Sequence, residues 1–224
     1  MRQAISEVLP YAIGVAISPV PIIAVILMLF SARARTNGPS FLLGWILGLG
    51  IVVTVVYVIA NSSDVATDSS ASDGSSTVQV VLGVVLLVLA LRNWRKRAAP
   101  GAEAAMPKWM DSIDSFTPVK ALGLAVLLSA VNPKNLILSI GAATVVAQTN
   151  SSTSDAVVAL AVFVVLASLS IAIPVVFYLL GGAKAKTTLD GWKVWLSAHN
   201  SAVMAVLLLV FGVVLIGKGT GHFS

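Results

Sequence analysis

Lys134 stands in the middle of a long apolar stretch, within Ser129-Ala-Val-Asn-Pro-Lys-Asn135. A charge at such a place is costly and marks a functional-site candidate. Asn132-Pro133 just before it has the form of an N-cap followed by proline at the first helical position. A helix is therefore expected to begin halfway along the stretch. The unpaired N–H groups and dipole at such a start favour an anion and disfavour a cation. Lys134 is unfavourable there unless an anion or carboxylate offsets it. Ser18-Pro19, followed by Pro21, repeats the device in the first apolar stretch.

These residues define a candidate substrate site. Lys134 and the two half-helix starts would receive an anionic group. Ser18, Asn132 and Asn135 would supply polar contacts, and Pro19, Pro21 and Pro133 would make the breaks. A lysine able to release its proton could also carry a coupling proton. The alternative for Lys134 is snorkelling or pairing with backbone carbonyls.

Other chemistry finds little support. The chain has no cysteine, which excludes disulfides, thiolate metal sites and thiol nucleophiles. Its two histidines, His199 and His222, lie outside the apolar centres and read as interfacial or tail residues. No carboxylate lies in an apolar centre, since Glu7 and Asp155 are near ends. No catalytic set, metal site or nucleotide-binding loop is legible. The expectation is a protein that is not an enzyme and has no cofactor.

The elements that position Lys134 follow from composition. Of 224 residues, 58% are apolar and 10% charged, against about 25% charged in soluble domains. This is an all-α integral membrane protein by expectation, because lipid-spanning runs of about 20 residues must satisfy their backbone internally. Six transmembrane helices are read: Val8–Phe30, Phe41–Ala60, Thr77–Trp94, Val119–Ala147, Ala156–Leu180 and His199–Lys218.

Most of the 14 basic residues fall in the first, third and fifth loops, and none in the second or fourth. The positive-inside rule then makes the odd loops cytoplasmic and both termini extracytoplasmic. This distribution explains the net charge of +5 without nucleic acid. It suits the cell membrane and contact with anionic lipid. No cleavable signal is evident.

The loops differ in character. Asn61–Ser76, rich in serine and aspartate, reads as a solvated external loop. In the third loop, Trp109, Ile113 and Phe116 share one face of a short helix, with Asp111 and Asp114 elsewhere around it. That segment would anchor at the interface or gate, or would simply tether against the bundle. Arg33 and Arg35 of the first loop join Trp109 and Asp114 as interfacial or gating candidates. Trp192 and Trp195 read as aromatic-belt residues. Gly44 and Gly48 suit close helix packing, and Pro174 reads as a kink.

Pro19 and Pro133 lie about half the chain apart, each near the centre of its span. Three spans per repeat would invert the second copy. The expected fold is thus a single membrane domain, 1–224, made of two inverted three-helix repeats. Repeat one covers 1–94, a cytoplasmic linker with a short interfacial helix covers 95–118, and repeat two covers 119–224. The first and fourth helices are broken at proline, a pointer to a transporter binding site.

Several stretches together resemble a known family. They are Ser18-Pro-Val-Pro-Ile-Ile-Ala-Val-Ile-Leu-Met-Leu-Phe30, Arg33-Ala-Arg-Thr-Asn-Gly38, Phe41-Leu-Leu-Gly-Trp45, Trp109 through Pro118, and Asn132-Pro-Lys-Asn-Leu136. The chain is similar to the GAP family of peptidoglycolipid-addressing proteins, which includes sulfolipid-addressing members, within the LysE transporter superfamily. The resemblance implies a cell-membrane protein that moves a cell-envelope glycolipid towards the surface. An anion-binding site suits an amphipathic, anionic glycolipid, and it suits small anions equally. Two alternatives stay open: a small-solute exporter for amino acids or ions with proton exchange, and a non-transporting accessory subunit of a lipid-export machine. The partners implied are membrane lipids, the anionic substrate, lipid-synthesis or export machinery and a second copy of the chain, with no role for nucleic acid.

Overall fold

The computed structural model describes residues 1–62, 69–95, 108–149 and 152–221. Every regular element among them is helical. In order these are α1 (Arg2–Ala16), α2 (Pro19–Phe30), α3 (Ala34–Ser62) and α4 (Ser69–Arg95). A 3₁₀ helix (Lys108–Ser115) follows, then α5 (Pro118–Ala130), α6 (Pro133–Gln148) and α7 (Thr153–Gly219).

Both proline breaks are present. α1 and α2 are bent by 56° across Ile17 and Ser18, and α5 and α6 by 63° across Val131 and Asn132. Pro19 and Pro133 each open the second member of a pair. A proline cannot donate to the carbonyl four residues back, and its ring disfavours helix at the preceding residue. The chain therefore turns and restarts at these positions. Four segments are long and apolar enough to cross a membrane unaided: Ala34–Asn61, Thr77–Arg95, Thr153–Gly182 and Lys184–Gly219. The number rises to six if each bent pair is one span.

α7 corrects one expectation. The fifth loop, carrying Lys184, Lys186 and Lys193, is not a loop. Helix resumes at Lys184 after a single non-helical residue, Gly182, at φ 54° and ψ −128°. That backbone conformation is open to glycine and strained for other residues. α7 thus consists of two arms, Thr153–Gly182 and Lys184–Gly219, hinged at Gly182. The second loop is also shorter than expected. Asn61 and Ser62 end α3, and Ser69–Ser76 already belong to α4; residues 63–68 lie outside the described chain.

The linker helix departs from its expected form too. Lys108–Ser115 has 3₁₀ geometry, whose three-residue period aligns Met110, Ile113 and Phe116 rather than Trp109, Ile113 and Phe116. Met110 and Ile113 are buried, and Trp109 and Phe116 pack half-buried on the core. The segment is held against the bundle, and Asn37 Nδ2 of α3 donates to the Phe116 carbonyl at 2.9 Å.

Helix contacts place the broken pairs centrally. α3 runs along α5 and α6, α1 lies on α6 and α7, α2 lies on α7, and α4 packs on α7. Gly44 and Gly48 let α3 approach α5 closely. A Cβ at Gly44 would strike the Leu122 carbonyl, and one at Gly48 would strike Ser129 Oγ. Tyr11, Phe41, Trp45 and Phe163 are fully buried in the core. Apolar side chains such as Val81, Val84, Val88 and Leu91 of α4 stay exposed, as a lipid-facing surface requires. The protein is a multi-pass membrane protein.

Candidate substrate site at the two broken helices

The first break leaves carbonyls without helical partners. Pro19 cannot donate to Val15, nor Pro21 to Ile17. Ser18 N turns instead to the Ala16 carbonyl at 2.9 Å, which releases Gly14. A buried carbonyl must find another donor. Lys134 and Ser18 are those donors. Lys134 Nζ donates to the Gly14 carbonyl, the Ile17 carbonyl and Ser18 Oγ, each at 2.7 Å. Ser18 Oγ has one hydrogen, shared between the Val15 carbonyl at 2.6 Å and Asn135 Oδ1 at 3.0 Å.

The second break is closed in a related way. Asn132 Oδ1 accepts from Lys134 N at 3.1 Å, a capping bond that starts α6. Asn135 Nδ2 donates to the Leu128 carbonyl near the end of α5 at 3.0 Å. That bond fixes which way the Asn135 amide points. Each broken helix therefore supplies the side chains that close its own break or its partner's.

Ser18, Lys134 and Asn135 are buried, at 1%, 3% and 0% exposure. Pro19 and Pro21 are buried as well, while Asn132 is half-buried and Pro133 exposed. The structure thus gathers Ser18, Asn132, Lys134 and Asn135 into one hydrogen-bonded group flanked by the prolines. The offset to the Lys134 charge is not a carboxylate. An ammonium has three donors, and all three are taken by the end of α1 and Ser18. α1 presents its carbonyl end, the negative end of its dipole, to that charge.

The interfacial candidates stand apart. Arg33, Arg35 and Asp114 are exposed, and among the described residues no hydrogen bond or ion pair joins their side chains to the Lys134 group. Trp109 packs half-buried on the core.

The backbone carbonyls of Gly14, Val15, Ile17 and Leu128 are functional groups that residue types alone do not announce. The prolines could have pointed to Val15 and Ile17, which lie four residues before Pro19 and Pro21. Nothing local points to Gly14, where a Cβ would lie 2.6 Å from the Phe211 ring and 2.8 Å from Leu138. Tyr11 OH and Ser139 Oγ, on the two helices that meet here, are buried without a hydrogen-bond partner among the described residues.

The fold and this centre define a multi-pass, all-helical membrane protein whose polar interior is built from two proline-broken helix pairs. The family model described as Sap, sulfolipid-1-addressing protein, matches residues 8–221. The chain belongs to that family. No curated protein and no solved structure matches it.

Proposed function

We propose that this protein is an exporter that moves an amphipathic, anionic cell-envelope glycolipid towards the cell surface. The family's description, a protein addressing a sulfolipid, supports a glycolipid with a negative group. The observation that carries a transport mechanism is the bonding of Lys134 on α6 to the broken end of α1. Those bonds tie the two broken pairs together through one cation. An anionic headgroup competes for the same ammonium. Once it takes one or more of the three donors, the Gly14 and Ile17 carbonyls lose their partner and α1 and α2 are free to shift against α6. Binding at the cation is thereby coupled to movement of the broken helices, which is the differential contact a population shift needs.

In this reading each bent pair is one span. The chain has six spans in two inverted repeats, lies in the cell membrane with both termini outside, and is related to the LysE transporters. It performs no covalent chemistry. A small-solute exporter would use the same centre with Lys134 exchanging a proton. The burial of Lys134 without a carboxylate is the observation favouring that second reading.

Mass spectrometry of surface-extracted and total lipids tests the proposal. The strains are a deletion mutant, the mutant complemented with wild type, and the mutant complemented with Lys134→Ala. The expected result is an anionic glycolipid that leaves the surface yet stays in the cell, restored by wild type alone. Unchanged surface lipids would overturn the export reading and favour the small-solute exporter. Full restoration by Lys134→Ala would remove Lys134 from the path.

A further inference from the structure

The hinge at Gly182 folds the second arm of α7 back beside the first and leaves a groove of about 320 Å³. Ile22 of α2, Ser170, Ile173 and Pro174 of the first arm, and Trp192, Trp195 and Leu196 of the second line it. Its surface is apolar but for Ser170, whose Oγ is buried without a hydrogen-bond partner among the described residues. The Phe177 and Trp192 rings stack across the hinge at 6.2 Å between centroids.

We propose that this groove holds an acyl-chain segment of the exported anionic glycolipid, and that the basic residues on the flanking segments attract its charged head. The inference rests on the export reading above. Three observations single out this occupant. First, the groove is lined almost wholly by apolar side chains and has room for a segment of an alkyl chain. Second, the segments that flank the groove carry basic residues. Lys193 Nζ lies 5.4 Å from the Phe30 ring centroid at the end of α2, and α2 leads directly to Arg33 and Arg35. Lys184 and Lys186 begin the same arm as Lys193. Asp190 pairs with Lys193 at 2.7 Å, whereas Arg33, Arg35, Lys184 and Lys186 are exposed and form no ion pair among the described residues. That surplus complements an anionic head and not a zwitterionic one. Third, the groove touches the moving part of the centre. Ile22 N donates to the Ser18 carbonyl at 3.2 Å, and Ser18 Oγ accepts from Lys134. A chain in the groove therefore rests on the half-helix that the Lys134 contacts restrain.

Tryptophan quenching in phosphocholine nanodiscs tests this with the full chain. The probes are an alkyl sulfate brominated along its chain and a phosphocholine bearing the same chain. The alkyl sulfate is expected to quench saturably, at least fivefold more tightly than the phosphocholine. The quenched fraction is expected to fall by more than half in Trp192→Phe/Trp195→Phe. Ser170→Phe, which fills the groove, raises the half-maximal concentration at least tenfold, and the milder Ser170→Leu raises it less.

Equal quenching by both probes would assign the groove to bulk lipid and overturn the proposal. So would non-saturating quenching, or tight quenching retained in a Ser170→Phe protein that elutes like wild type. A Ser170→Phe protein that instead changes oligomeric state assigns the groove to a second copy and also overturns it. Unchanged surface lipids in the deletion strain would sink the export reading by themselves, a result independent of the quenching assay.

Discussion

Removing the Lys134 ammonium strands the Gly14 and Ile17 carbonyls and Ser18 Oγ inside the fold. A buried acceptor without its donor costs about 1–3 kcal/mol. Lys134→Met, which keeps most of the volume, is expected to lower the melting temperature in detergent and to abolish lipid display. Lys134→Arg is not a conservative rescue, because a planar guanidinium cannot match three acceptors set for an ammonium. It should fold better than Lys134→Met and still fail to restore display. A Lys134→Arg protein that restores display fully would show that charge alone matters. Asn135→Leu tests the other half of the centre. It frees the Leu128 carbonyl and should destabilise by about 1–3 kcal/mol, read by thermal unfolding. Residue types singled out Ser18, Asn132, Lys134 and Asn135 in advance. Their partners are mostly backbone carbonyls, which carry no residue signature.

The breaks in the helices are expected to matter more for movement than for folding. Pro21→Ala returns an N–H to face the Ile17 carbonyl, in competition with Lys134. It is expected to keep the melting temperature within a few degrees of wild type and to reduce surface lipid several-fold. Unchanged display would show that the second proline of α2 is dispensable. Gly48 is a tighter constraint. A side chain there meets Ser129 and the Val126 backbone, so Gly48→Val should cost at least about 1–3 kcal/mol through overpacking. At the hinge, Gly182→Ala forces an alanine to positive φ, a strain of about 1–3 kcal/mol. The hinge was hidden in a stretch that reads as a cytoplasmic loop because of its lysines. Lysines are good helix formers, and their charge speaks to the membrane surface rather than to local backbone. The two prolines, by contrast, act through covalent geometry and were legible at once.

Across the whole molecule, distant parts of the chain are tied at the helix ends. The Met1 amine pairs with Asp155 at 2.8 Å, and Lys218 pairs with Glu7 while its ammonium lies 5.8 Å from the Tyr11 ring centroid. These contacts put the start of α1, the start of the first arm of α7 and the end of its second arm on one side. Partly exposed pairs at the surface contribute about 0–1 kcal/mol, so Glu7→Lys should destabilise modestly and Glu7→Lys/Lys218→Glu should recover most of the loss. The same arrangement bears on orientation. The chain has no cysteine, so single cysteines label cleanly. Ser152→Cys is expected to react with an impermeant maleimide in intact cells, and Ala32→Cys only after permeabilisation. Labelling of both from outside would overturn the six-span, termini-out reading.

The sequence by itself determined that the chain enters a membrane, where its helices restart, and which cation stands at a restart. Those properties follow from transfer free energy and from the missing proline N–H, and both are local. Only the tertiary structure decided what Lys134 faces. Its partners lie 116 to 120 residues away, and a residue's type does not specify which freed carbonyl it will meet. The same holds for the groove. Its walls are apolar residues like many others in the chain, and only the turn at Gly182 brings Trp192 and Trp195 beside Pro174.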